Sequence, residues 1–309
     1  MKILITGIQG FVGSNLVVNL KGHHMLYGLD ITSTQKEGVL NMFIWNELDI
    51  IPTVDLIIHL AGKAHDTNNT TSSQEYFDIN VGLTQKIFAH FLKSSATKFI
   101  FISSVKAVAD SVRGFQLTEE TLPNPKTPYG KSKLEAEKYI ISQPLPVEKK
   151  IYILRPCMIH GPGNKGNLNL LYKFVQKKIP WPLGAFENKR SFTSIDNLTY
   201  IITQIAEKEI EPGIYQIADD ETLSTNELIR LIALAQNRKP VIWKIPKKLI
   251  CSLAKLGDIL HLPLNNERLT KLTESYPVSN LKIKKTLKIE KLPITAEDGF
   301  SKTFESFKN

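Results

Sequence analysis

The sequence predicts a doubly wound α/β fold, a parallel sheet covered by helices on both faces, followed by a smaller mixed α/β C-terminal lobe. Three observations carry this. Short, fully apolar runs alternate with helical patterns through the first half, a glycine triplet follows the first run, and the second half loses the alternation. Runs without polar alternation are strands buried on both faces. Strands separated by helices imply right-handed crossovers in a parallel sheet.

In chain order, "KILIT" (2–6) reads as the first strand and 11–20 as the first helix. "MLYGLD" (25–30), "NMFIW" (41–45) and "VDLIIHLAG" (54–62) read as further strands. A long helical pattern over 73–93 follows, then "KFIFISS" (98–104), a helix from Tyr129, and "KIYILRP" (150–156). Beyond these, "GPGNKGN" (161–167) and "IPWPLGAFENKRS" (179–191) are loops, and "GIYQIADD" (213–220) is one more candidate strand. "STNELIRLIALA" (224–235) opens on a capping box of Ser224 and Glu227. No repeat or flexible linker separates the halves. We therefore assign 1–156, with a strand near 213–220, to the sheet domain, and 157–212 with 221–309 to a lobe packed closely on it.

The chain has 309 residues, 42% of them apolar, enough for a large core. It contains no apolar run of about 18 residues or more, so no membrane span is expected. "MKILITG" begins as a strand and not as a signal peptide. The two cysteines, Cys157 and Cys251, lie far apart without metal-like spacing. This suits a reducing cytosol and argues against disulfides or a metal site. The formal charge is +9, but the lysines are spread and interleaved with glutamates, as in "KSKLEAEK". That pattern reads as a solvated surface and not as a nucleic-acid face, though it can also concentrate an anionic small molecule. A cytoplasmic protein is expected, with no nucleic-acid or membrane partner.

"ITGIQGFVG" places Gly7, Gly10 and Gly13 straight after the first strand, with Phe11 and Val12 opening the first helix. Glycines there allow a tight turn and let backbone N–H groups reach a pyrophosphate at the positive end of the helix. Asp30 closes the second strand. An acid at that point accepts hydrogen bonds from ribose hydroxyls and repels a 2′-phosphate, which favours NAD over NADP; it would serve equally to start the turn at "TSTQ". Asp49 and the Leu60, Ala61, Gly62 stretch are further cofactor candidates, because ligands of such sheets bind at the carboxyl ends of strands.

"KTPYGKSKLEAEKYI" (126–140) offers Thr127 as N-cap and Pro128 at the first helical position. Tyr129 and Lys133 then share a helix face. An ordinary surface helix would account for the pair. Alternatively, the ammonium draws the phenol down from its free pKa of ~10, making Tyr129 a general base or acid.

With "VDLIIHLAG", "DINVGLTQ", "FIFISSVKAV", "ILRPCMIHGPG" and "KRSFTSIDNL", these motifs make the chain resemble the extended short-chain dehydrogenase/reductase family, also called NAD-dependent epimerase/dehydratase. The resemblance runs over nearly the whole chain and implies a Rossmann-type sheet with NAD as cofactor. It implies a catalytic set of Ser104, Tyr129 and Lys133, with Lys133 also holding the nicotinamide ribose; Ser103 is the neighbour that could be confused with Ser104. Asn80 matches an asparagine beneath the cofactor or else makes a structural bond inside its helix, and Pro156 falls in the "RP" segment of the cofactor pocket.

On the substrate side, Arg190, Asn167 and Arg268 resemble positions that bind the diphosphate of a nucleotide sugar. Lys63, His65 and Lys106 stand where the sugar would lie. Dehydrating members carry an acid directly after the catalytic Ser/Thr, whereas this chain has Val105 and then Lys106, so elimination is disfavoured. The "VYG" of the family becomes "AVA" at 107–109. The overall likeness is to members acting at C4 of UDP-hexoses or UDP-N-acetylhexosamines in polysaccharide synthesis. It implies an NAD-dependent 4-epimerase. A 4-ketoreductase of a UDP-4-keto-6-deoxy sugar is the near alternative and a silent NAD-binding sensor the remote one. A homodimer through two long helices is the assembly that the resemblance implies.

Overall fold

A computed structural model of the chain describes residues 1–64, 72–112, 114–164, 166–260 and 265–308, with Asn167 described in its backbone alone. His65, a sequence candidate for the sugar site, lies outside the described residues. In chain order the first half contains β1 (Lys2–Thr6), α1 (Phe11–Leu20), β2 (Met25–Asp30), β3 (Asn41–Ile44), β4 (Leu56–His59), α2 (Ser73–Lys93), β5 (Lys98–Ile102), α3 (Pro128–Ser142) and β6 (Lys150–Pro156). The second half continues with β7 (Met158–His160), α4 (Asn167–Gln176), β8 (Phe192–Ser194), α5 (Ile195–Glu207), β9 (Gly213–Ile217), α6 (Thr225–Ala235), α7 (Lys247–Leu260), α8 (Asn266–Thr273), α9 (Leu281–Leu287) and α10 (Ala296–Glu305).

Among the described residues, seven strands form one parallel sheet in the order β3-β2-β1-β4-β5-β6-β9. Successive strand residues point to opposite faces, so one strand feeds two cores. On one face Ile3, Ile5 and Ile58 meet Leu16, Leu198 and Ile202; on the other Leu4, Ile57 and Phe99 meet Phe88, Phe91 and Ile140. Full burial of one such side chain contributes roughly 1.5–3 kcal/mol. The strands are shorter than the apolar runs suggested. The run 54–62 pairs only over Leu56–His59, and 98–104 only over Lys98–Ile102. Their last residues peel away at the carboxyl edge of the sheet.

Helices α5 and α9 belong to the sheet's flank, although their spans were expected in the smaller lobe. For α5 the reason is the crossover: β9 runs parallel to β6, so the connection must return across the sheet; α9, after β9, buries Ile283 and Leu287 in the same core. Ile195, Leu198, Ile201, Ile202 and Ile205 of α5 supply its apolar cover. The remaining lobe gathers α4, α6 and α10 around Phe192, Phe300 and Phe304, with α7 and α8 over Trp181 and Leu183. His160 ties the two regions. Its ring stacks on Phe300 at 3.8 Å and lies 3.4 Å from Asp219, just beyond β9. Among the described residues no helix is long and apolar enough to cross a membrane.

Candidate active site

The turn after β1 is fixed by close backbone approach. Gly7 has φ +67°, and a Cβ there would fall 2.7 Å from the Ala61 nitrogen. The loops after β1 and β4 therefore touch. Gly13 is equally constrained, since a Cβ would meet Ile8 Cα at 2.6 Å. Helix α1 begins at Phe11 with no side-chain cap, which leaves the open N–H groups and positive end that suit a phosphate. Asp30 is half-buried at the end of β2 and accepts from the Gln9 N–H at 2.9 Å. A glycine-lined turn, an uncapped helix start and a carboxylate beside them fit a dinucleotide. Asp49 is not brought there. It is exposed on the turn Leu48–Ile50 and its charge acts on His90, in the last turn of α2.

Leu60, Ala61 and Gly62 are held by a directional hydrogen-bond chain. Thr84 Oγ1 donates to the Asn80 carbonyl at 2.6 Å, so it accepts from His59 Nε2 at 3.0 Å. His59 Nδ1 then accepts from Thr6 Oγ1 at 2.7 Å, and Thr6 Oγ1 accepts from the Ala61 N–H at 3.1 Å. The chain requires a neutral imidazole. Burial, with the nearby Lys133 charge, pushes the His59 pKa down to about 3. Asn80 grips the same loop from α2, accepting from the Lys63 N–H at 2.8 Å and donating to Ser132 Oγ of α3 at 2.9 Å. Lys63 itself pairs with Glu75 at 2.7 Å.

Helix α3 starts as its sequence predicts, with Thr127 as N-cap and Pro128 following. Asp110 secures that start, accepting from Thr127 Oγ1 at 3.0 Å and from the Lys126 N–H at 2.5 Å. Ser104 and Ser103 part company. Ser104 stands by the Tyr129 phenol and acts on its ionisation, whereas Ser103 is buried and donates to Glu137. Burial raises the Tyr129 phenol above its ordinary pKa, with Ser104 acting against the rise. Lys133 lies one turn on, donating to the Ile102 carbonyl at 3.0 Å. Burial lowers it to about 8, with Glu137 opposing. Lys133 thus faces the end of β5, and in the chain by itself burial, which raises the phenol, prevails.

The sequence analysis missed the support beneath this set. Glu137, one further turn along, is buried and takes Arg155 Nε at 2.9 Å and Nη2 at 2.5 Å. Its only outward signal was spacing: Tyr129, Lys133 and Glu137 fall at intervals of four, on one face. Pro156, next to Arg155, is buried opposite Ile217.

In the smaller lobe, Arg190 donates to the Lys271 carbonyl at 2.7 Å, and burial lowers its pKa. Lys106 donates to the Asp110 carbonyl at 2.8 Å and sits 4.4 Å from the centre of the Tyr276 ring. Burial also lowers Lys106, and the charge of Arg190 adds to the effect. Tyr276 in turn donates to the Ala109 carbonyl at 2.6 Å. Lys106 and Arg190 are thus gathered with Tyr276 beyond Ser104. Arg268 stands apart from this burial, exposed on α8.

Residues 3–218 match the model of the NAD dependent epimerase/dehydratase family. The chain is 31% identical to a UDP-glucose 4-epimerase of Vibrio cholerae, over 99% of this chain and 95% of that protein. It is 27% identical to an N-acetyl-α-D-glucosaminyl-diphospho-ditrans,octacis-undecaprenol 4-epimerase of Escherichia coli O157:H7, over 92% of this chain and 85% of that protein. Its fold resembles that of MoeE5 solved with UDP-glucuronic acid and NAD. The TM-score is 0.77 at 19% identity, with 100% of this chain and 99% of the other covered.

Proposed function

The chain belongs to the NAD-dependent epimerase/dehydratase family, and on that footing we propose that it is a 4-epimerase of a UDP-hexose or UDP-N-acetylhexosamine, with NAD as bound cofactor. One observation carries the reading: Ser104, at the end of the β5 segment, favours ionisation of the Tyr129 phenol, with Lys133 one helical turn behind.

NAD, when bound, supplies a hydride acceptor and returns the hydride. The chain's own residues do the rest. Tyr129 takes the proton of the sugar C4 hydroxyl as C4 is oxidised, and gives it back on reduction. Ser104 donates to that oxygen and holds it at the phenol. Lys133 places positive charge behind the pair, favouring the phenolate. Gly7, Gly10, Phe11, Val12 and Gly13 cradle the pyrophosphate and Asp30 takes the ribose, while Asn80 and the His59 chain hold Leu60, Ala61 and Gly62 against the dinucleotide. Arg190, with Arg268 and Asn167, takes the substrate diphosphate, for which a guanidinium fork is suited. Lys63 and Lys106 border the sugar. Val105 supplies no proton beside Ser104, so the keto sugar is turned over rather than dehydrated.

This reading includes a cytosolic homodimer. The free thiols of Cys157 and Cys251 suit a reducing compartment, and α2 and α3, packed together through Asn80 and Ser132, offer the shared face.

Proton NMR of the protein with UDP-glucose, UDP-galactose and their N-acetyl forms, plus catalytic NAD, tests it. A new anomeric signal approaching equilibrium without net cofactor change is the expected result. Silence from all four substrates, with turnover of a 4-keto sugar by reduced cofactor, would make the protein a 4-ketoreductase using the same residues.

A further inference from the structure

Helix α7 has two apolar strips, and the described residues cover only one of them. Ile250, Ala254 and Gly257 are buried, where Ile250 and Ala254 pack with Leu269 of α8 and Trp181. Leu249, Leu253, Leu256 and Leu260 follow at the same helical spacing on the adjacent strip and remain 46–56% exposed. Trp243, just before the helix, is 55% exposed. A row of leucines open to water marks an interaction face.

The charges around the strip choose the partner. Lys244, Lys248 and Lys255 are all exposed. The single acid on the helix, Asp258, is engaged by the Asn266 side-chain and backbone nitrogens at 2.5 and 3.1 Å. A second copy laid on this strip would bring lysine against lysine. An anionic lipid surface is complementary. Leucines and tryptophan would enter the headgroup boundary while the lysine stems reach up to lipid phosphates.

We propose that this face of α7 docks on an anionic bilayer surface. No spanning segment is needed for this, so the expectation of no membrane partner, which rested on the lack of one, does not bear on it. The strip is built onto the side of the protein that holds Arg190. Leu269 of α8 packs beneath α7, and two residues further along α8 the Lys271 carbonyl holds Arg190. Docking would therefore hold the Arg190 side of the protein at the bilayer surface. The docking does not depend on the epimerase reading above.

The test is sedimentation of the purified chain with vesicles of equal parts phosphatidylglycerol and phosphatidylcholine, and with phosphatidylcholine alone. Pelleting with the anionic vesicles only, weakened by salt, is expected. The triple variant Leu249→Gln, Leu253→Gln, Leu256→Gln should lose that pelleting yet keep wild-type turnover of a soluble UDP-sugar. Lys248→Glu with Lys255→Glu should weaken pelleting with every leucine intact. A wild type that stays in the supernatant overturns the docking, as does a triple variant that pellets unchanged. A triple variant that drops from dimer to monomer in the ultracentrifuge overturns it too, by making the strip a self-interface. Pelleting without any turnover of nucleotide sugars would count against the epimerase reading alone.

Discussion

Glu137 and Arg155 form a two-pronged ion pair wholly inside the protein, with Nε and Nη2 of the arginine at 2.9 and 2.5 Å from the two carboxylate oxygens. The pair joins the middle of α3 to β6, and Ser103 closes it from β5. It sits one turn beyond Lys133, so it fixes where α3 lies against the sheet.

Removing one partner strands the other's charge in the core. Arg155→Met should destabilise the fold by roughly 3–5 kcal/mol, read as a lower urea midpoint. The double variant Arg155→Met with Glu137→Leu should recover part of that loss.

Tyr129→Phe keeps the ring and its edge contact with Tyr76 but removes the proton carrier. Turnover should fall by about 10²–10⁴-fold while NAD binding, followed by fluorescence titration, stays near wild type. Unchanged turnover would remove Tyr129 from its assigned role.

Acid stability should depend on His59. Its folded pKa is about 3 against the ordinary 6.5, so the unfolded chain takes up the proton first. Its contribution is therefore present above about pH 6.5 and lost as pH falls toward 3, on the order of 5 kcal/mol at 1.36 kcal/mol per unit. His59→Gln should be less stable at neutral pH and show a flatter decline over that window in pH-dependent urea unfolding.

Arg190→Lys keeps a charge but not the planar fork. With the diphosphate bound alike in ground and transition states, KM should rise roughly 10–100-fold and kcat change little. Steady-state kinetics on the UDP-sugar that the NMR screen identifies would show the split.

Gly13→Ala places a methyl 2.6 Å from Ile8 Cα and 2.7 Å from the Gly7 oxygen, both backbone atoms that cannot swing aside. We expect a cost of roughly 1–3 kcal/mol in thermal unfolding, and weakened NAD binding because the pyrophosphate turn itself must shift.

The sheet was legible because burial on both faces leaves an unbroken apolar run, as in "KILIT" and "KFIFI". Thr127 and Pro128 announced the start of α3 by local chemistry alone. What could not be read was burial of charge. "KSKLEAEK" looks like one solvated helix, yet Glu135 and Lys138 are exposed while Lys133 and Glu137 are buried, because the partner of Glu137 is eighteen residues away on β6. Asp49 shows the limit of reading an acid by its place after a strand, since where it lies depends on the turn Leu48–Ile50 and its charge acts on His90 at the end of α2. Choosing Ser104 over Ser103 rested on resemblance, and the two hydroxyls separate only once the neighbouring helix is in place.

Helix α3 is pinned at its start by Asp110, in its middle by the Ile102 carbonyl on Lys133, and beyond that by Arg155 on Glu137. Three anchors on three different segments hold it at three points along its length. The groups Lys106, Arg190 and Tyr276 sit on stretches outside the strands of the large sheet. Substitutions in those stretches would therefore change the groups around Tyr276 and leave all three anchors of α3 in place.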